Sequence, residues 1–252
     1  MKTLASDLIN GLTPEENSRK KKFVKSTGTL EMTLKGYDQY LHGFSHGKYL
    51  SQLKHVPIPS LTNQEIQSFY DFMNTPDRAS VYSHPAISFY LGKLFNASKE
   101  KEIIFTPQDS VFRLCSLGLH FGTGIARKLH ICGDAGDAVG CEMKRGTIYV
   151  HGNARIEIGK DMQGGEIIID GKVNSVASFT KGIIRCSHAD LASSIVGELH
   201  AKTIGTIKDD GNTDTHSGKI YVEKDITHIG YNCRADVYIA GKRIPVPRRG
   251  ER

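Results

Sequence analysis

The sequence predicts a mainly β protein in which residues 126–245 wind as a parallel β-solenoid. Three observations carry that expectation. A short apolar strand ending in glycine recurs at a step of nineteen: Leu129 to Gly133 reads LHICG, Ile148 to Gly152 reads IYVHG, and Ile167 to Gly171 reads IIIDG. The first two copies continue alike, Gly133-Asp-Ala-Gly-Asp-Ala-Val-Gly140 matching Gly152-Asn-Ala-Arg-Ile-Glu-Ile-Gly159, with glycines seven apart in both. The chain also holds 26 glycines and no tryptophan, a balance suited to many tight turns.

Residues 1–125 read as a mixed region with helices. Thr13-Pro14-Glu15-Glu16 starts a helix near 14–24, with Thr13 as cap, proline at the first helical position and Glu16 closing a capping box. Met32 to Gly36 (MTLKG), followed by Gly43 and Gly47, repeats the strand-and-glycine phase and suggests an extra β coil at 29–47. Thr62 and Glu65 form a second capping box before an apolar stripe at Ile66, Phe69, Tyr70 and Met73, so a helix is expected at 62–74, stopped by Pro76. Pro85 opens a helix at 85–96 that lines up Ile87, Tyr90, Leu91, Leu94 and Phe95. Thr106-Pro107 starts another at 107–117, ended by Gly118. The helical element at residues 60–118 is expected to cover an open strand edge of the solenoid, with a partner-binding module as the alternative.

Within the repeat, alternation sends Ile148, Val150, Ile167 and Ile169 inward as apolar ladders. Met143 and Met162, which precede Gly146 and the Gly164-Gly165 pair, are expected to stack as well. The third copy decays but keeps phase: Ser178 stands in the glycine position, Gly182 closes the coil, and Ile183 to Ser187 (IIRCS) supplies the strand. Lys219 to Glu223 (KIYVE) and Asp236 to Gly241 (DVYIAG) supply two more. A string of hairpins would need turn pairs such as Asn-Gly between neighbouring strands, and the constant register favours stacking instead.

The string from Gly133 to Val173, GDAGDAVGCEMKRGTIYVHGNARIEIGKDMQGGEIIIDGKV, resembles the GXGXG-type β-helix domain. That domain closes the large subunit of glutamate synthase and occurs in one of the subunits of formylmethanofuran dehydrogenase. The resemblance implies a right-handed single-stranded parallel β-helix that organises neighbouring domains or subunits while chemistry resides elsewhere, so no catalytic residue carries over. The coils after Gly182 depart from the family pattern, the companion catalytic domains are absent, and the first 125 residues carry no such resemblance.

No run of eighteen apolar residues occurs, so no membrane span is expected, and Met1 to Gly11 lacks the pattern of a signal peptide, which points to the cytoplasm. The five cysteines, Cys115, Cys132, Cys141, Cys186 and Cys233, are then expected to be free and mostly buried. The net charge of +6 is clustered in Arg19, Lys20, Lys21, Lys22 and Lys25 and in a basic tail at 246–252 that holds Arg248, Arg249 and Arg252. Such clusters bind phosphates or serve as solvated faces.

Four site readings follow. Cys132, His151 and Asp170 occupy equivalent positions in successive copies and should form an outward column. A Cys–His–Asp ladder can hold an activated thiolate, and the plainer reading is a column of turn-flanking residues. His42 and His46 stand four apart, but Gly43 argues for a turn and against a shared helical face. His130, Cys132, Cys141 and His151 lack the CxxC spacing of structural zinc sites, so no metal is expected. Gly133-Asp-Ala-Gly136 and Gly122-Thr-Gly124 fall short of a phosphate loop, and neither GxSxG nor HExxH occurs. The expectation is therefore a non-catalytic β-solenoid scaffold or assembly subunit without cofactor, associated with a protein partner or a second copy. A basic nucleic-acid-associated protein and an enzyme with a site on the solenoid face are the alternatives.

Overall fold

A computed structural model of the chain describes residues 30–45, 56, 58–74, 84–107, 127–177, 181–193, 195, 197–208, 218–230, 233 and 235–246. The chain divides into two compact units, Met1–Glu100 with Asp109–Leu114, and Lys101–Gln108 with Cys115–Arg252. The helices expected at 14–24 and 107–117 lie outside the described residues, as does the tail beyond residue 246.

The first unit contains α1 (Leu30–Ser45), α2 (Asn63–Met73) and α3 (His84–Ala97). Helix α3 packs against both others. Helix α2 starts as its sequence dictates: Thr62 Oγ1 accepts from Glu65 N at 3.3 Å, and the Glu65 carboxylate accepts from Thr62 N at 2.8 Å. Its stripe of Ile66, Phe69, Tyr70 and Met73 is buried. Tyr90 of α3 is the hub. Its ring lies 5.4 Å from Tyr37 and 5.7 Å from Phe69, and its hydroxyl donates to Thr33 O at 3.0 Å.

The extra coil expected at 29–47 is a helix, which corrects that reading. Leu30, Leu34, Tyr37 and Leu41 fall at helical spacing over about three turns, and Leu34, Tyr37 and Tyr40 are buried. The strand-like alternation covers only five residues, so the longer pattern prevails. His42 is therefore helical rather than in a turn. The side chains of His42 and His46 lie outside the described residues.

Among the described residues the second unit forms one sheet of nine strands in sequence order: β1 (Glu102–Phe105), β2 (Lys128–Ile131), β3 (Thr147–Val150), β4 (Gln163–Val176), β5 (Lys181–Ser193), β6 (Glu198–Lys208), β7 (Lys219–Ile229), β8 (Asp236–Ile239) and β9 (Lys242–Ile244). From β1 to β8 every pairing is parallel, so the chain winds as a solenoid. Ile148 stands over Leu129 and under Ile167, as the nineteen-residue step requires. The inward column continues through Ile184, Leu199, Ile220 and Val237, all fully buried. Burying each such side chain is worth about 1.5–3 kcal/mol relative to exposing it. Met143 and Met162 are likewise fully buried.

Strands β4 to β7 are longer than the repeat suggests, because each continues past a corner onto a second face. The pairing register slips at that corner, between Ile169 and Lys172 in β4 and between Ala201 and Thr203 in β6. The sheet also starts one strand before the expected boundary at residue 126: β1 pairs with β2 across a long connection that broke the periodic signal.

Two residue types explain why the repeat carries its particular letters. Gly159 has φ +72°, and a Cβ there would meet Ile184 Cδ1 at 2.5 Å. Asp134 and Asn153 tie each rung to the next. Asp134 Oδ1 accepts from Asn153 N at 2.7 Å, and Asn153 Oδ1 accepts from Lys172 N at 2.9 Å.

The winding ends in a hairpin that the sequence reading did not foresee. Ala240 and Gly241 both have positive φ, 47° and 77°, which is the backbone of a two-residue turn, and β9 returns antiparallel along β8.

Candidate functional site

The outward residues of the solenoid are placed by alternation: Val150 and Ile169 point in, so the residues that follow them, His151 and Asp170, point out. The structure joins these two. His151 Nδ1 lies 3.0 Å from Asp170 Oδ2, one rung away. The third member of the expected column, Cys132, is exposed and makes no side-chain hydrogen bond among the described residues. In its place stands His130, whose Nδ1 lies 3.0 Å from His151 Nε2. On its other side His130 Nε2 is 2.8 Å from Glu102 Oε1, a charge contact off the line of a ring N–H bond.

The result is a string Glu102–His130–His151–Asp170 that spans β1 to the corner of β4. The ring of Tyr149 stacks on His130 at 4.4 Å and 8°. The hydrogen-bond network assigns the tautomers: His130 Nδ1–H donates to His151 Nε2, and His151 Nδ1–H donates to Asp170. Both nitrogens of His151 are thus committed, and neither is left to take a proton from the Cys132 thiol. This geometry removes the support for an activated thiolate. His130 and Glu102 escaped the sequence reading because the equivalence rule followed one column, whereas the string steps diagonally between two. His130 was accessible to the same alternation argument, as the outward residue between Leu129 and Ile131.

A second string lies on the other outward face. His188 Nδ1 is 2.6 Å from Thr203 Oγ1 on the neighbouring strand, and His188 Nε2 is 2.8 Å from Asp190 Oδ1. The order hydroxyl–imidazole–carboxylate is that of a nucleophilic triad. Asp190 is 66% exposed, so water screens its charge, and the string serves chiefly to pin β5 to β6.

Comparison with protein-family models, with curated proteins and with solved structures returns no match.

A groove of about 560 Å³ runs along the corner of β4 to β8. It is lined by Asp170, Arg185, His200, Lys202, Tyr221 and Glu223 over a floor that includes Cys186. Burial pushes the Cys186 thiol up to about 12, and burial, reinforced by nearby acidic groups, raises Cys141 to about 11, so both are unreactive thiols at neutral pH. Cys141 and Cys233 are half-buried and Cys132 is exposed, so among the described cysteines only Cys186 meets the expectation of burial. All four are free, and Cys115 lies outside the described residues.

His200 is held toward its neutral form, first by desolvation and then by the charge of Arg185, its partner in register on β5. Its ring stacks on Tyr221 at 4.6 Å, and Tyr221 stacks on Tyr238 at 5.0 Å. Arg185 Nε donates to Glu166 Oε1 at 2.7 Å.

Among the described residues no group of three or more His, Cys, Asp or Glu is arranged to hold a metal ion, and no helix is long and apolar enough to cross a membrane. Arg19, Lys20, Lys21, Lys22, Lys25, Arg248 and Arg249 lie outside the described residues.

Proposed function

We propose that this chain is a non-catalytic assembly scaffold, with the outward face of its solenoid as the docking surface for another protein. One observation carries the reading. Eight strands in parallel register present a single outward column in which His130, Tyr149, Arg185, His200, Tyr221 and Tyr238 occupy in-register outward positions, with Ile168 between Tyr149 and Arg185. Tyrosine and arginine anchor protein interfaces, and rings already stacked on one another have little rotamer freedom left to lose on docking. The full commitment of His151 and the desolvation of Cys141 and Cys186 weigh against nucleophilic chemistry at these residues. The GXGXG resemblance of Gly133 to Val173 supports the same reading and suggests partners among glutamate synthase-like or formylmethanofuran dehydrogenase-like redox complexes.

The test is affinity purification of the native protein with mass spectrometry of what accompanies it. A defined heteromeric complex is expected. Tyr149→Ala combined with Tyr238→Ala should lower recovery of the partner at least tenfold while the far-ultraviolet dichroism is unchanged. A protein that purifies alone, or a folded double variant that keeps its partner in full, overturns the proposal.

A further inference from the structure

The groove at the corner of β4 to β8 has a charge arrangement that the scaffold reading does not use. Lys202 and Glu223 line it from the adjacent strands β6 and β7, and neither makes an ion pair among the described residues. Arg185 lines it from β5 and spends only its Nε on Glu166, so its two terminal nitrogens have no partner among the described residues. Asp170, at the β4 side, is already engaged by His151. The groove thus offers a guanidinium end and an ammonium on neighbouring rungs, and an unengaged carboxylate on the next. Opposite charges so close would ordinarily pair with each other. Here both are left available on a concave surface whose floor is rigid sheet.

We propose that this groove binds a small zwitterion of the α-amino-acid class. The ligand carboxylate sits between Arg185 and Lys202, where a guanidinium gives two parallel donors. The ligand ammonium meets Glu223. Strands lie roughly 4.8 Å apart, so the cationic and anionic sides are separated by about one rung, which is close to the reach between the two charged ends of an amino acid. The volume of about 560 Å³ lies within the range of small-molecule sites and leaves room for a side chain beside Tyr221. A simple anion is a poorer fit, because Asp170 and Glu223 balance the two cations in formal charge. The groove shares Arg185, His200 and Tyr221 with the docking column, but the ligand is one that the isolated chain should bind, so its test stands apart from that of the docking proposal.

The experiment is titration of the full chain with glycine, L-serine and L-leucine, followed by calorimetry and by backbone amide shifts. Acetate and methylammonium serve as single-charge controls. The expected result is saturable binding of at least one amino acid, at least tenfold tighter than either control, with shifts confined to β5, β6 and β7. Lys202→Gln and Glu223→Gln, both at exposed positions, should each weaken it at least tenfold, while Lys160→Gln, far along the sequence on another turn, leaves it unchanged. Acetate binding as tightly as the amino acids overturns the zwitterion and leaves a plain anion site. No saturation by any of the three at 10 mM (about −2.7 kcal/mol), or binding indifferent to both substitutions, overturns the site itself.

Discussion

At the scale of single residues, the fold rests on positions where one atom more is too many. Gly159 combines a left-handed backbone with an Ile184 methyl only 2.5 Å from the place a Cβ would occupy. Gly159→Ala is expected to cost about 1–3 kcal/mol from backbone strain alone, before any shift of Ile184. A urea unfolding curve measures it, and an unchanged midpoint would contradict the packing described for this turn. His200 offers a second measurable residue. Its folded pKa lies below the ordinary value of 6.5, so the folded state resists protonating it. The stability this gives is present above pH 6.5 and is lost as pH falls through the lowered value. The melting temperature should therefore drop between pH 7.5 and pH 5, and the drop should be smaller in His200→Gln. An equal drop in both proteins would show that His200 does not contribute. Residues of this kind were partly legible in the sequence. The paired glycines announced themselves by spacing, whereas the orientation of an imidazole nitrogen depends on a neighbour nineteen or more residues away that no local pattern names.

At the scale of elements, the strands show which signals a sequence transmits. Leu129, Ile148 and Ile167 declared their stack because the step between them was constant and each was closed by glycine. Strand β1 was missed because a long connection separates it from β2, and β9 because a return strand obeys a different rule from the coils before it. Helix α1 was misread because a five-residue alternation resembled the repeat, although the helical spacing of its apolar residues ran more than twice as long. The Ala240-Gly241 turn makes β9 testable. Deleting Lys242 to Ile244 leaves the edge of β8 without its antiparallel cover and removes the Arg243 contact to Asp236. The truncated chain is expected to self-associate in a concentration-dependent way by light scattering, and a mass equal to that of the intact chain at all concentrations would refute this role for β9.

At the scale of the whole molecule, its two compact units hold their interiors by different means. The first concentrates aromatic rings around Tyr90, and the second distributes small aliphatic ladders over many rungs. The candidate sites follow from the second arrangement, because a solenoid repeats the same outward position at every rung and so turns scattered residues into columns. The columns of β4 to β7 were the least legible part of the sequence. Their core residues keep register from Ile167 through Ile184, Leu199 and Ile220, yet the number of residues between successive rungs changes each time. What is conserved there is the meeting of side chains, not the length of chain that connects them. Loops on this stem can therefore lengthen or shrink freely, and over evolutionary time the periodic spelling will fade well before the architecture does.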